Sequence, residues 1–281
     1  MNRKARAARI SVLSNSVLIV IKCVAGVLSG SVSIVSEAIH SGMDLLAALI
    51  AFFSVRVSDN PPDNKHQYGH GKFENISGVI EALLIFVASG WIIYEAIMRL
   101  FHRTAIHSID IGIAVMAISS VVNILVSRML YRVARETNSV ALEADALHLK
   151  ADVYTSAGVA VGLLIIRLSG LAVIDSIVAI AVAIFILREA FLLLLKAVQP
   201  LIDVGLSAAE MGELEGIIAN YKLTYHKLRT RRSGSHVFID MHLLFPGGIS
   251  IGDAHDTTDI LKSDIRKAFS GADVTIHMEP E

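Results

Sequence analysis

Six apolar runs, near 10–30, 32–56, 76–101, 109–133, 140–168 and 172–197, constrain this chain more than any other feature. Each reaches the roughly 20 residues that a helix needs to cross about 30 Å of hydrocarbon at 1.5 Å per residue. Runs of that length are too long for a soluble core. Composition agrees with a membrane protein. Charged residues make up 18% of the chain and hydrophobic residues 54%, with a mean hydropathy of +0.61, whereas soluble domains carry about 25% charged residues. The net charge of −1 gives no clustered basic face, so a nucleic-acid partner is not expected. Cys23 is the only cysteine. An intrachain disulfide and a Cys-based zinc finger are therefore excluded, and Cys23 reads as inert packing.

After Pro200 the composition changes: charged residues return and no apolar run exceeds strand length. The expected division is a six-helix transmembrane domain over 1–203 and a small water-soluble domain over 204–281. About 75 residues is a size at which oligomerisation often supplies missing stability. Arg3, Lys4, Arg6 and Arg9 precede a first run too long for a signal peptide. They place the N-terminus in the cytoplasm by the positive-inside rule. Arg56, Lys65 and Lys72 then fall between runs two and three, and Arg128, Arg132 and Arg135 between four and five. Arg99, Arg103 and Arg167 lie on the other side, so the bias is incomplete. Six crossings return the C-terminal domain to the cytoplasm, and the expected location is the cell's inner (plasma) membrane.

Ionisable residues inside a bilayer are costly and usually face an interior functional site. Run two contains His40 and Asp44; run five contains His148 and Asp152. Both are His-x-x-x-Asp, an i,i+4 spacing that puts the pair on one helix face. His40 and Asp44 lie 16 and 12 residues before Arg56, and Asp152 and His148 lie 17 and 13 after Arg135. In antiparallel helices those pairs reach similar depth, near the bilayer middle. Two imidazoles and two carboxylates at one depth suit tetrahedral Zn²⁺. The alternative is that each pair is a local hydrogen bond closing a polar gap. Glu37 and Asp145 precede each histidine by three residues, as candidate outer partners or proton carriers. Asp145, close to the cytoplasmic side, is expected to be solvated at a helix end.

The segment Asp63-Asn64-Lys65-His66-Gln67-Tyr68-Gly69-His70 offers one carboxylate and two imidazoles, enough to hold zinc with one position open. A solvated loop with incidental histidines is the alternative.

Paired His-x-x-x-Asp motifs, with Pro-Pro-Asp-x-x-His-x-Tyr-Gly-His-Gly-Lys-x-Glu between them, resemble the cation diffusion facilitator family over nearly the whole chain. The resemblance implies a homodimeric divalent metal/proton antiporter in the lipid bilayer, with six transmembrane helices and a cytoplasmic αββαβ domain of metallochaperone-like, ferredoxin-like fold. It implies His40, Asp44, His148 and Asp152 as the transport site and Asp63, His66 and His70 as a loop site. Lys72 and Asp203 match a charge pair at the membrane–cytoplasm hinge. His226, His242, His255, His277 and Glu279 match a cytoplasmic zinc cluster, with Glu279 where an aspartate is common. On that reading Zn²⁺ is both substrate and regulatory ligand.

The tail also reads on its own as αββαβ: helix near 207–220, strands near 223–233 and 235–244, a helix near 253–270 opening at Gly252-Asp253, and a strand at 273–277. His236 and Asp240 share a strand face without matching a motif. There is no histidine-rich segment between runs four and five, as in bacterial-type members. Two imidazoles favour Zn²⁺ over Mn²⁺; Fe²⁺, Co²⁺, Ni²⁺ and Cd²⁺ suit the same ligands. No catalytic residues are expected, since an intramembrane metalloenzyme needs a general base and the chain has no His-Glu-x-x-His run. A metal-sensing receptor with vestigial transport is the remaining alternative.

Overall fold

The computed structural model of the chain describes residues 3–29, 32–101, 110–169, 173–269 and 271–281. Side chains are described over 3–25, 41–42, 44–98, 117–154, 157, 176–177, 179–269 and 271–281. The side chains of Glu37 and His40 lie outside that description.

Six long helices come first: α1 Arg3–Ser29, α2 Val32–Ser58, α3 Lys72–Phe101, α4 Asp110–Thr137, α5 Val140–Ser169 and α6 Val173–Val198. The shortest has 26 residues, about 39 Å of helix. Among the described residues, Arg3–Ala25, Lys72–Met98 and Ala117–Thr137 are long and apolar enough to cross a membrane. The apolar sequences of α2 and α5 are interrupted by ionisable residues, several of which build the site below. The bundle packs α1 on α2, α3 on α6 and α4 on α5. Its contacts use small residues, such as Ala47, Ala48 and Ala51 of α2 and Ala183, Ala190 and Ala197 of α6, all fully buried. Small side chains let backbones approach closely where lipid supplies no hydrophobic drive. Gly78 marks the tightest such point: a Cβ there would stand 2.7 Å from Val140 Cγ1 and 3.2 Å from Ala197 Cβ.

At the tail end of the bundle a buried polar knot ties α1, α2 and α3 to Ser139, the residue just before α5. Glu74 of α3, fully buried, accepts from Lys4 Nζ at 2.7 Å, from Ser58 Oγ at 2.9 Å and from Ser139 Oγ. Lys4 also pairs with Asp59 at 3.2 Å. A buried carboxylate is tolerable only when paired and hydrogen-bonded in this way.

A short 3-10 helix, Gln199–Ile202, leads to the tail: α7 Ala208–Ala219, β1 Thr224–Ser233, β2 His236–Phe245, α8 Ile251–Ala268 and β3 Ala272–Pro280. The sheet order is β1-β2-β3, the first pair antiparallel and the second parallel. This is the expected αββαβ arrangement. Ser207 and Glu210 close a capping box at the start of α7. α8 starts two residues earlier than the sequence reading put it. Ser250, not Gly252-Asp253, is the cap, its Oγ accepting from the Asp253 backbone N–H. Val237, Ile239, Met241, Leu243 and Phe245 of β2 pack with Leu214 and Ile218 of α7 and Leu261 and Ile265 of α8 in one core. Strand alternation therefore puts His236, Phe238, Asp240 and His242 on the sheet's other face.

The turn between β1 and β2 is seated on the start of α3. The Gly234 backbone N–H donates to Asn75 Oδ1 at 3.1 Å, and Lys4 Nζ donates to Ser235 Oγ at 3.4 Å. Gly234 has φ 58°, a conformation that favours glycine. A Cβ on Gly234 would come within 2.5 Å of Gly71 O, and one on Gly71 within 2.2 Å of Ser233 O. Beside this seat the Tyr68 and Phe238 rings meet edge-on at 5.5 Å, with the Arg231 guanidinium over both.

Candidate metal centres

The membrane centre is built by α2 and α5. Asp44, His148 and Asp152 each offer one ligand atom, all within 4.8 Å of one another. Asp44 and His148 are buried, at 5% and 7% exposure, and Asp152 is half-buried. His148 Nε2 lies 3.1 Å from Asp44 Oδ1, so this contact runs between the two helices rather than within one pair. The i,i+4 spacing of His148 and Asp152 gathers both groups on one face of α5. Asn15 of α1 donates from Nδ2 to the Asp44 carbonyl at 3.4 Å, which fixes that turn of α2. His40 lies one turn before Asp44 on α2. Two carboxylates and an imidazole already give three donors of the types that bind Zn²⁺, one short of a tetrahedron.

Asp145 is fully buried in α5, with Ser11 of α1 facing it, so it is not the solvated helix-end residue that its place in the sequence predicted. The cause is α1, which packs against α4 and α5 and so closes this end of α5 from solvent. The sequence assigns no role to Lys22, Glu81 or Glu74, the last of these the closing residue of the loop motif. All three are buried, and each was visible as an ionisable residue in or beside an apolar run.

In the loop, Asp63, His66 and His70 form a second group with ligand atoms within 4.8 Å. Asp63 Oδ1 accepts from the backbone N–H groups of Lys65 and His66, at 2.8 and 2.6 Å. Gly69 then turns the chain at φ 80°, bringing the His70 ring to 4.4 Å from that of His66. His66 Nδ1 lies 3.3 Å from Asp63 Oδ1, and His70 Nε2 lies 3.4 Å from Asp63 Oδ2. The His66 backbone bond leads in holding the Asp63 carboxyl below the ordinary carboxylate range. It is therefore an ionised donor at neutral pH.

Lys72 and Asp203 meet at 3.0 Å, and Arg231 adds a second cation at 3.5 Å from the same oxygen. The Lys72 hydrogen bond is the main cause that holds the Asp203 carboxyl below its usual range, with Arg231 assisting. A folded-state pKa below the unfolded one gives stability that is present above the unfolded value. It is lost as pH falls through the lowered value. This link should therefore hold undiminished from about pH 8 to about pH 5 and weaken only below the ordinary carboxylate range. Protease accessibility of residues 199–206 against pH measures it; loosening already near pH 6 would contradict the assignment.

The tail centre follows from strand register. His226 of β1 is opposite His242 of β2, which is opposite His277 of β3, so three imidazoles form one row across the sheet. Neighbouring ring centroids are 5.1 and 4.7 Å apart. Glu279, two residues beyond His277, shares its face. Its Oε2 lies 2.7 Å from His226 Nε2 and its Oε1 2.7 Å from His242 Nδ1, with His277 Nε2 at 3.6 Å. The bond with His242, then that with His226, keeps the Glu279 carboxyl below its ordinary range. A β-bulge follows His226, with Lys227 at φ 52°. His226, His242 and Glu279 have ligand atoms within 4.8 Å of one another. His255 is not brought to them. It lies exposed on α8, 3.5 Å from Asp259, and α8 packs on the opposite face of the sheet.

A membrane bundle with a carboxylate–imidazole centre between two helices, followed by an αββαβ domain, matches two known domain families in succession. Residues 8–202 match the cation efflux transmembrane domain, and residues 208–281 match the cation efflux protein cytoplasmic domain. The cation-efflux pump FieF of Shewanella oneidensis is 32% identical over 276 residues, covering 98% of this chain and 93% of its own. The uncharacterized transporter sll1263 of Synechocystis sp. is 33% identical over 256 residues, covering 90% and 83%. A solved structure of CzrB is 33% identical and covers 27% of this chain and 99% of its own, with a TM-score of 0.27. The chain belongs to the cation diffusion facilitator family. It is a membrane transporter for the efflux of divalent metal cations.

Proposed function

We propose that the chain exports Zn²⁺ from the cytoplasm in exchange for protons, as a homodimer in the inner membrane with both termini cytoplasmic. Residues 1–203 act as the transport unit and residues 204–281 as its metal-binding, dimerising regulator. The observation that carries the reading is the His148–Asp44 contact between α5 and α2, with Asp152 beside it. Mixed imidazole and carboxylate donors suit Zn²⁺ better than harder Mn²⁺, and His40 is the fourth ligand. The loop group, Asp63, His66 and His70, takes a second ion. His226, His242, His277 and Glu279 take zinc in the tail, and His255, on the far face of the sheet, takes no part.

Metal binding requires neutral imidazole and ionised carboxylate, so protons leave the ligands as the ion enters. The same groups take protons back after the ion leaves on the far side. That exchange couples the two fluxes when the helices rock around a fixed midplane site. Lys4, Arg56, Lys72 and Arg135 on one side support the orientation.

Purified protein in sealed vesicles tests the reading. Zinc should accumulate inside when the lumen is acidic relative to the outside, and accumulation should collapse when the gradient is dissipated. Zinc movement indifferent to the gradient would reject proton exchange, and no movement of zinc would reject the substrate.

A further inference from the structure

α1 and α4 each carry one exposed face that changes character toward the tail end of the bundle. On α4, Ile118, Val121 and Leu125 are exposed, and the same helical spacing continues into Arg128, Arg132 and Arg135, all exposed. On α1, Leu13, Val17 and Val20 are exposed, and their stripe runs back into Arg9 and Arg6, also exposed. An ion pair joins the two faces. Arg3, three residues before Arg6, meets Glu136, four residues after Arg132, at 2.8 Å. Both partners stay largely exposed, at 66% and 40%, so the seam between the helices lies open on the surface. Successive crossings alternate in direction, so α1 and α4 are antiparallel. With residue 3 level with 136, a rise of about 1.5 Å per residue puts Arg6 and Arg9 among the levels of Arg128, Arg132 and Arg135. The buried side agrees: Ala5 and Ala8 share one core cluster with Leu130, Val133 and Ala134. Arg3 and Lys4 at this end are paired with carboxylates. Among the described residues, Arg6, Arg9, Arg128, Arg132 and Arg135 form no ion pair.

We propose that this α1–α4 flank binds anionic phospholipid, its headgroup phosphate on the arginines and its acyl chains along the apolar stripes. A guanidinium fork matches phosphate oxygens in pairs, and basic pockets between helices at this level hold acidic headgroups. The continuity of each face decides between a lipid and a soluble anion. Only an amphiphile fits a basic stretch that runs directly into a lipid-facing apolar one. A zwitterionic lipid brings a cation of its own, which five unpaired arginines repel. A second copy is a poorer occupant, because a two-fold contact would set the basic patch against itself. In the orientation proposed above, the flank meets the cytoplasmic leaflet. The binding is independent of the ion that the membrane centre carries.

The test titrates phosphatidylglycerol, against phosphatidylcholine, into the full-length protein in neutral detergent. Native mass spectrometry counts bound lipid, and thermal unfolding is read in parallel. Phosphatidylglycerol should bind about tenfold tighter or more, and added salt should narrow the difference because the arginines are exposed. Arg128→Gln, Arg132→Gln and Arg135→Gln together should remove most of the preference, whereas lysine at the same three positions should keep much of it. Arg6→Gln with Arg9→Gln should also weaken it, and carries the test if the triple variant fails to fold. Arg188→Gln, at an exposed α6 arginine paired with Glu189, should leave it unchanged. Equal binding of the two lipids by the parent overturns the proposal. So does a preference that survives in both neutral variants, or one lost equally in Arg188→Gln. Displacement of phosphatidylglycerol by inorganic phosphate at matched ionic strength would assign the flank to a soluble anion. A changed oligomeric state in the neutral variants, with lipid binding intact, would assign it to a second copy. Either result overturns the lipid site.

Discussion

Asp152→Ala should leave the protein folded and inserted, yet lower zinc flux by at least about a hundredfold. Loss of a group that only orients a ligand typically costs 10–100-fold in affinity or activity, and Asp152 supplies a ligand atom of its own. Its removal leaves the centre short of one donor and of one negative charge, so a divalent ion is neither fully coordinated nor neutralised. Asp152→Asn should fail nearly as badly, because it restores the shape without the charge. Flux into vesicles, read beside a thermal unfolding curve, measures both halves of the expectation. Near-normal flux in a folded Asp152→Ala protein would sink the assignment of this carboxylate.

The tail should respond as sharply to loss of Glu279 and His242. Its core is drawn from residues 206–276, so the domain can be studied alone. Zinc at a hundred times its dissociation constant stabilises a binding fold by about 2.7 kcal/mol. In a domain of this size that corresponds to a rise in Tm of about 10–20 °C. The double variant Glu279→Ala, His242→Ala should lose nearly all of that rise, since Glu279 makes both of the shortest contacts in the row and His242 one of them. His255→Ala, on the far face of the sheet, should keep most of it. An undiminished rise in the double variant would make the row an ordinary strand surface. Loss of the rise in His255→Ala would mean that a second copy carries its histidine to the row.

Much of this architecture is legible in the sequence because each feature rests on local periodicity. The apolar runs mark the six helices, the i,i+4 spacing marks the shared face of His148 and Asp152 on α5, and alternation marks β2. What escapes the sequence is which element covers which face. Asp145 reads as a helix-end carboxylate and is instead enclosed against α1. His255 reads as one more tail histidine, yet α8 sits on the core side of the sheet while the imidazole row occupies the other. Lys22 reads as a stray charge in an apolar run. Its bond to Ser41 emerges only from the pairing of α1 with α2. The start of α8 reads two residues late in the sequence because Ser250, not Gly252-Asp253, carries the capping hydrogen bond.

The seat of the β1–β2 turn on Gly71 and Asn75 has a practical consequence for anyone recombining such proteins. A chimera joined at the composition break near residue 204 would carry a foreign hairpin onto this α3. The backbones at Gly71 and Gly234 leave no room for a methyl group on either side, so mismatched parents would be wedged apart at once. The transferable tail is thus a discontinuous unit: residues 204–281 together with the 68–75 segment that receives them. Graft boundaries drawn in three dimensions, rather than along the chain, are the ones that should yield folded hybrids.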